Sequence, residues 1–135
     1  MSETKDVRGI LKLEQLLFDK LEFRRIGFKT VSRLEMDIQV EIYQRDDAIG
    51  EYKTTLIFTG TKAGEYELAI SLSGYFHLEE NSGLSKEDVN ALISRNSVSI
   101  MLPYLRSEVS ILTAQPGVDC VVLPTFNVNK LLDLE

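Results

Sequence analysis

His77, Asp119 and Cys120 are the residues whose types could do covalent chemistry, as an imidazole base, an orienting carboxylate and a thiol nucleophile. Nothing in the order of the chain brings His77 to Cys120, and a lone cysteine between Val118 and Val121 reads as a small buried hydrophobe. One His and one Cys also fall short of the clustered ligands that zinc favours. Gly60-Thr61-Lys62-Ala63-Gly64 places a lysine between glycines without the spacing of a phosphate-binding loop, and reads as a hairpin turn. The doublets Asp46-Asp47 and Glu79-Glu80 stand beside turns and read as solvated surface. No enzyme activity, metal or cofactor is expected from these residues.

Composition narrows the partners. The 135 residues fit a single domain, and the formal net charge of -6, from 21 acidic against 15 basic residues, opposes binding to a phosphate backbone. Nucleic acid is therefore not an expected partner. A single cysteine excludes an internal disulfide, the first residues carry no apolar run of signal-peptide type, and no stretch approaches the length of a membrane span. The expectation is a cytoplasmic protein that does not insert directly into a membrane.

The elements follow from periodicity. Residues 1–11 are expected to form a flexible N-terminus, followed by a single domain over 12–135. From Ile10 to Val31 the apolar residues fit a helical turn or two as well as a strand. Leu34, Met36, Ile38, Val40 and Ile42 alternate with polar residues, which predicts a strand wet on one face. Glu51–Thr59 and Glu65–Glu79 read as further strands, joined by a turn at Gly60–Gly64, and strands so close in sequence read as an antiparallel meander. Gly74 within the last strand marks a bend or a close-packing point. The small residues Ala69, Ser71 and Ser73 leave one face of that strand either facing water or able to meet another surface.

Beyond the Asn81-Ser82-Gly83 loop, Ser85 and Asp88 have the spacing of a helix cap and predict a short helix over Lys86–Arg95. A joint at Ser94–Ser97 precedes a long helix, which either starts near Asn96 or Ser99 or bends at Pro103, and stops at Gln115-Pro116-Gly117. Val98, Leu102, Leu105, Val109 and Leu112 form its apolar stripe, with Met101, Tyr104, Glu108 and Ile111 on the flank. Met101, Tyr104 and Ile111 widen the apolar arc beyond what one sheet face needs, which makes them candidates for an oligomer interface or for contact with the C-terminal tail.

Leu102-Pro103-Tyr104-Leu105-Arg106, a helix stop about ten residues later, and the tail Leu123-Pro124-Thr125-Phe126-Asn127-Val128-Asn129-Lys130-Leu131-Leu132 together resemble the C-terminal half of the SecB export-chaperone family. With the strand-like segments before them, the resemblance covers Lys12 to Leu132. It implies an α+β, SecB-like fold: a four-stranded antiparallel meander sheet with a short and a long C-terminal helix. It also implies that the first strand spans Lys12–Phe28, with an irregularity near Phe18–Lys20. The resembled family further implies a homodimer or homotetramer that holds unfolded or partly folded polypeptides without ATP, in protein export or in protection of antitoxins.

Two departures qualify that expectation. Lys20 and Arg24 stand where the family carries an acidic pair that docks the translocase motor, which places that docking in doubt. The chain also ends with Asp133-Leu134-Glu135, without the family's C-terminal extension. A non-catalytic scaffold of the same fold with one dedicated partner is the alternative. A holdase needs exposed apolar surface within a charged surround. Phe18, Phe28, Tyr43 and Phe126, near strand ends or in loops, are the candidate client-binding residues, whereas Phe23 and Phe76 read as core.

Overall fold

The computed structural model describes residues 11–79 and 85–132. The expected flexible segment over 1–11 and the Asn81-Ser82-Gly83 loop lie outside the described residues, except that Leu11 already begins the first strand and is buried. The described chain forms β1 (Leu11–Arg25), β2 (Leu34–Gln44), β3 (Glu51–Lys62), β4 (Tyr66–Leu78), α1 (Lys86–Thr113) and α2 (Val128–Leu131). The four strands make one antiparallel sheet in the order β1-β4-β3-β2, and α1 packs across β4, β1 and β3. This is the α+β, SecB-like arrangement expected from the sequence, a four-stranded antiparallel sheet followed by two helices. Tight turns join β2, β3 and β4 in a meander, while the longer segment after β1 lets that strand take the free side of β4.

The alternation in sequence fixes which face is dry. Leu68, Ile70, Leu72, Phe76 and Leu78 of β4 are buried, as are Leu56 and Phe58 of β3, and all belong to one core with Val98, Met101, Leu105 and Val109 of α1. Opposite them lie Glu67, Ala69, Ser71, Ser73, Tyr75 and His77, with Lys12, Gln15, Leu17, Lys20, Glu22 and Arg24 of β1 alongside. Ser73 on this outer face is buried within the chain, where its hydroxyl donates to Asp19 and lies 3.0 Å from the Thr55 hydroxyl. Gly74 is a close-packing point: a Cβ there would lie 2.8 Å from Met101 Sδ and 2.8 Å from Phe76 Cε1.

β1 is a strand, and its register against β4 shifts between Phe18 and Lys20, where the irregularity was expected. A second shift falls between Leu13 and Gln15 and makes Glu14 an extra residue in the ladder. The strand stops at Arg25, so Phe28 stands in the connection to β2 and not in β1. β3 runs on through Gly60 to Lys62, because the buried Gly60 pairs with both Met36 and Leu68, and the turn follows it at Gly64 with φ of 78°.

The helices depart from the sequence reading. A single 28-residue α1 runs unbroken through the expected joint at Ser94–Ser97, and the short helix is the later α2. Ile93, Ser97 and Val98 are all buried against the sheet, and the Ser97 hydroxyl lies 2.8 Å from that of Thr54, so the polar residue expected to break the helix is satisfied from β3. Pro103 is tolerated because it and Ser99, whose carbonyl loses its partner, are both on the exposed side. At the start of α1 the Ser85 hydroxyl accepts from the Asp88 N–H at 3.0 Å, which is the expected cap. Ser85→Ala is expected to lower stability by about 1 kcal/mol in chemical denaturation; an unchanged unfolding midpoint would show that the cap contributes nothing to this helix.

Candidate functional site

The tail after α1 determines which side of that helix is left open. Ser110 Oγ donates to the Val121 carbonyl at 2.8 Å, Arg106 donates to the Leu123 carbonyl at 3.2 and 3.1 Å, and the Val121 N–H donates to Thr113 Oγ1 at 2.8 Å. Arg95 Nε reaches Asn129 Oδ1 at 3.0 Å, so the tail returns along α1 with Leu123 buried beneath it. Helical spacing places Ile100, Tyr104 and Ile111 on the other flank. Tyr104 is 48% and Ile111 62% exposed, as an interface needs. Met101 does not belong with them: it is fully buried over Gly74 inside the chain, because the sheet-facing arc of α1 is centred nearer Met101 and Leu105 than the stripe read from sequence.

The four candidate client-binding residues occupy separate places. Phe18 lies on the helix-facing side of β1 and is half-buried against the core. Phe28 is 91% exposed on the connection between β1 and β2. Tyr43 is exposed near the far end of the sheet, pairing with Lys53 as Lys53 pairs with Tyr75, whereas Arg25 just before Phe28 pairs with Tyr66. The nine residue steps from Tyr66 to Tyr75 put the two ends about 30 Å apart. Tyr43 lines a cavity of about 370 Å³ with Arg45, Glu51, Tyr52, Lys53 and Tyr75, and its hydroxyl donates to Glu41 at 2.7 Å. That bond, together with the Glu41 charge, pushes the Tyr43 phenol above its ordinary value. Phe126 is half-buried in the tail and lines a smaller cavity of about 200 Å³ with Leu102, Pro103, Arg106 and Val128.

The connection that carries Phe28 is firmly held. The Ile26 and Gly27 N–H groups donate to the Glu65 carbonyl at 2.8 and 3.1 Å, and the Thr30 N–H donates to Glu65 Oε1 at 2.8 Å. Lys29 Nζ lies 2.7 Å from Asp119 Oδ1, which ties the connection to the turn beyond α1; each charge favours the other, so the Lys29 pKa is raised and that of Asp119 lowered. The sequence reading passed over several exposed apolar residues, among them Ile26 and Val31 on the same connection, Ile49 in the β2–β3 turn and Val122 in the tail. Val31 and Ile49 are branched residues set among turn residues, whereas Val122 stands in the apolar run Cys120–Leu123, of which Leu123 is buried and Val122 exposed.

The residues considered for catalysis are not assembled. His77 Nδ1 pairs with Glu51 Oε2 at 2.7 Å on the outer face, Asp119 pairs with Lys29, and the Cys120 thiol points to the Ser110 carbonyl at 3.6 Å beside α1. Cys120 is exposed and not a core residue, because the tail lies flat on the helix at this point. Glu14, Glu51 and His77 do converge, with one potential ligand atom from each all lying within 4.8 Å of one another. Lys20 and Arg24 stand on the outer face of β1 and pair with Glu22 at 3.7 Å and Glu67 at 2.6 Å. Among the described residues no helix is long and apolar enough to cross a membrane.

No family model matches the chain. It is 27% identical over 105 residues to the uncharacterized protein MJ0357 of Methanocaldococcus jannaschii, a match that spans 74% of this chain and 66% of that protein's length. Its structure is similar to that of the Mycobacterium tuberculosis Rv1957 SecB-like chaperone, solved in complex with a ChAD peptide from the Rv1956 HigA1 antitoxin. The TM-score is 0.71 at 9% sequence identity, covering 91% of this chain and 98% of that one. A protein of unknown function from Streptococcus agalactiae matches with a TM-score of 0.44 at 14% identity, over 85% of this chain and 97% of that one.

Proposed function

We propose that this protein is an ATP-independent holdase that binds extended, nonnative polypeptide through apolar surface. The observation that carries this reading is the set of large apolar side chains left exposed on anchored segments, chief among them Phe28 and Val31 on the connection tied to Glu65. Large exposed apolar residues at separate sites suit a client that is long and extended, since each segment then needs only a few contacts. The backbones of the two edge strands, β1 and β2, offer an extended chain further hydrogen bonds. The SecB-like fold, shared with a chaperone whose structure holds an antitoxin peptide, supports the same reading. Protection of an antitoxin suits the chain better than motor docking, because Lys20 and Arg24 form a paired, partly basic surface on β1. The exposed free thiol of Cys120 fits a reducing compartment such as the cytoplasm.

The test is titration of a labelled, permanently unfolded protein, at low and high salt, into the wild type and into Phe28→Ser, Tyr43→Ser and Phe126→Ser variants. Binding is expected to persist in salt and to weaken about tenfold or more in at least one variant, roughly 1.4 kcal/mol. Absence of binding below about 100 μM, a free energy weaker than about -5.5 kcal/mol, overturns the holdase. Retention of one folded partner together with indifference to denatured chains would favour the dedicated scaffold.

Assembly into a homodimer or homotetramer through the Tyr104 and Ile111 flank of α1 belongs to the same proposal. A charge placed in a dry contact costs more than the contact returns, so Ile111→Asp is expected to reduce the mass seen by light scattering to that of the protomer without unfolding it. An oligomer that survives Ile111→Asp and Tyr104→Asp shows that its interface lies elsewhere. A wild type that scatters only as monomer across a tenfold concentration range removes the quaternary proposal.

A further inference from the structure

We infer that Glu14, Glu51 and His77 form a binding site for a first-row divalent cation of the zinc type on the outer face of the sheet. Each comes from a different strand: Glu14 from β1, Glu51 from β3 and His77 from β4. One potential ligand atom from each lies within 4.8 Å of the others. Glu51 and His77 are brought together by the β3–β4 register, in which they are direct partners, and the imidazole Nδ1 already lies 2.7 Å from Glu51 Oε2. Glu14 is brought in by the bulge that the sequence did not disclose: the register passes from Leu13 opposite Phe76 to Gln15 opposite Tyr75, so Glu14 is the extra residue. A bulge bends its strand and re-aims a side chain, here towards the end of β4 where His77 stands.

The donor set selects the ion. One imidazole and two carboxylates suit zinc and its first-row neighbours, whereas magnesium and calcium take oxygen ligands alone. Donors about 2.0 to 2.2 Å from a shared ion stand roughly 3 Å apart, so Glu51 and His77 need to separate only slightly while Glu14 closes in. Among the described residues neither Glu14 nor Glu51 has a salt bridge to a lysine or arginine, and Lys12, which stands opposite His77 in the β1–β4 register, makes none with them. Three protein ligands leave a position for water or for a side chain of a bound partner. The ion would tie the start of edge strand β1 to both central strands. The site stands independently of the holdase reading.

The experiment is a titration of metal-free protein with Zn²⁺ alone, followed by competition with a chromophoric chelator and by thermal unfolding, with Mg²⁺ as the control ion. One equivalent per chain is expected to bind with a dissociation constant below about 100 μM, and at a hundredfold excess over that constant the melting midpoint should rise by several degrees. Mg²⁺ should give neither effect. His77→Gln and Glu14→Gln should each weaken zinc binding tenfold or more, and Cys120→Ser should leave it unchanged. Glu14 is exposed, so its substitution reports on binding even where His77→Gln disturbs the sheet. Absence of saturable binding up to about 1 mM, retention of full affinity in both ligand variants, or loss of binding in Cys120→Ser overturns the proposal.

Discussion

Leu105→Ala is expected to destabilise the protein by about 2 to 5 kcal/mol, while Ile111→Ala, on the same helix, changes protomer stability by no more than about 0.5 kcal/mol. Leu105 is fully buried between Met101 and Val109, one helical turn away on either side, and these three pack over the dry face formed by β1, β3 and β4. Removing its side chain forfeits apolar burial and opens a hole that the surroundings cannot readily fill. Gly74 already lets the Met101 sulfur approach the β4 backbone closely, so the helix has little room to sink further onto the sheet. Ile111 is 62% exposed and has little burial to lose within the protomer. Chemical denaturation at a protein concentration low enough to keep every variant monomeric separates the two, because an interface at Ile111 would otherwise add its own loss to the midpoint. Equal losses in the two variants would mean that α1 is not anchored by its Met101–Leu105–Val109 face.

The sheet was legible because its strands obey a period of two. Leu34, Met36, Ile38, Val40 and Ile42 all fall on the side of the sheet that faces the helix, the Ser85 cap lies where local sequence put it, and the Phe18–Lys20 irregularity lies where the resemblance implied it. What escaped depended on partners distant in the chain. The unbroken course of α1 rests on a Ser97 hydroxyl satisfied by Thr54, and the burial of Met101 rests on the absence of a side chain at Gly74. Neither relation can be read from the helix alone. The Leu13/Gln15 bulge left no mark in a segment that already fitted either a helix or a strand. Sequence picked out Phe28 and Tyr43 by their place near strand ends and Tyr104 and Ile111 on one flank of α1, and all four side chains are exposed. It passed over Val31 and Ile49, since a single branched residue in a loop is common in any surface, and over Val122, since its apolar neighbours Val121 and Leu123 read as buried. The cation cluster joins three strands and has no linear spacing that would disclose it.

Glu65→Gln is expected to lower the melting midpoint by several degrees at neutral pH, and the gap from the wild type should close as the solution is acidified. Glu65 is fully buried at the start of β4, where Oε1 accepts from the Thr30 N–H at 2.8 Å and the Thr30 hydroxyl at 3.3 Å, and lies 3.0 Å from Lys62 Nζ. The Thr30 amide holds the carboxyl below its ordinary value of 4.5; burial opposes this, and Lys62 adds to it. Among the described residues Oε2 has no hydrogen-bond partner, so the charged form is held from one side only. Because the folded-state pKa lies below the unfolded one, the stabilisation is present above 4.5 and is lost as the pH falls through the lowered value. The neutral glutamine can still accept from Thr30 but cannot pair with Lys62, whose side chain is only 12% exposed. The difference between the two proteins therefore isolates the charge, which strengthens the Thr30 N–H and hydroxyl bonds that hold the connection presenting Phe28 and Val31. Acid should accordingly increase proteolytic cleavage over residues 26–33 in the wild type, and Glu65→Gln should show that increase already at neutral pH. A gap in melting midpoint that stays constant from pH 7 down to about pH 3 would show that the Glu65 charge does not hold this connection.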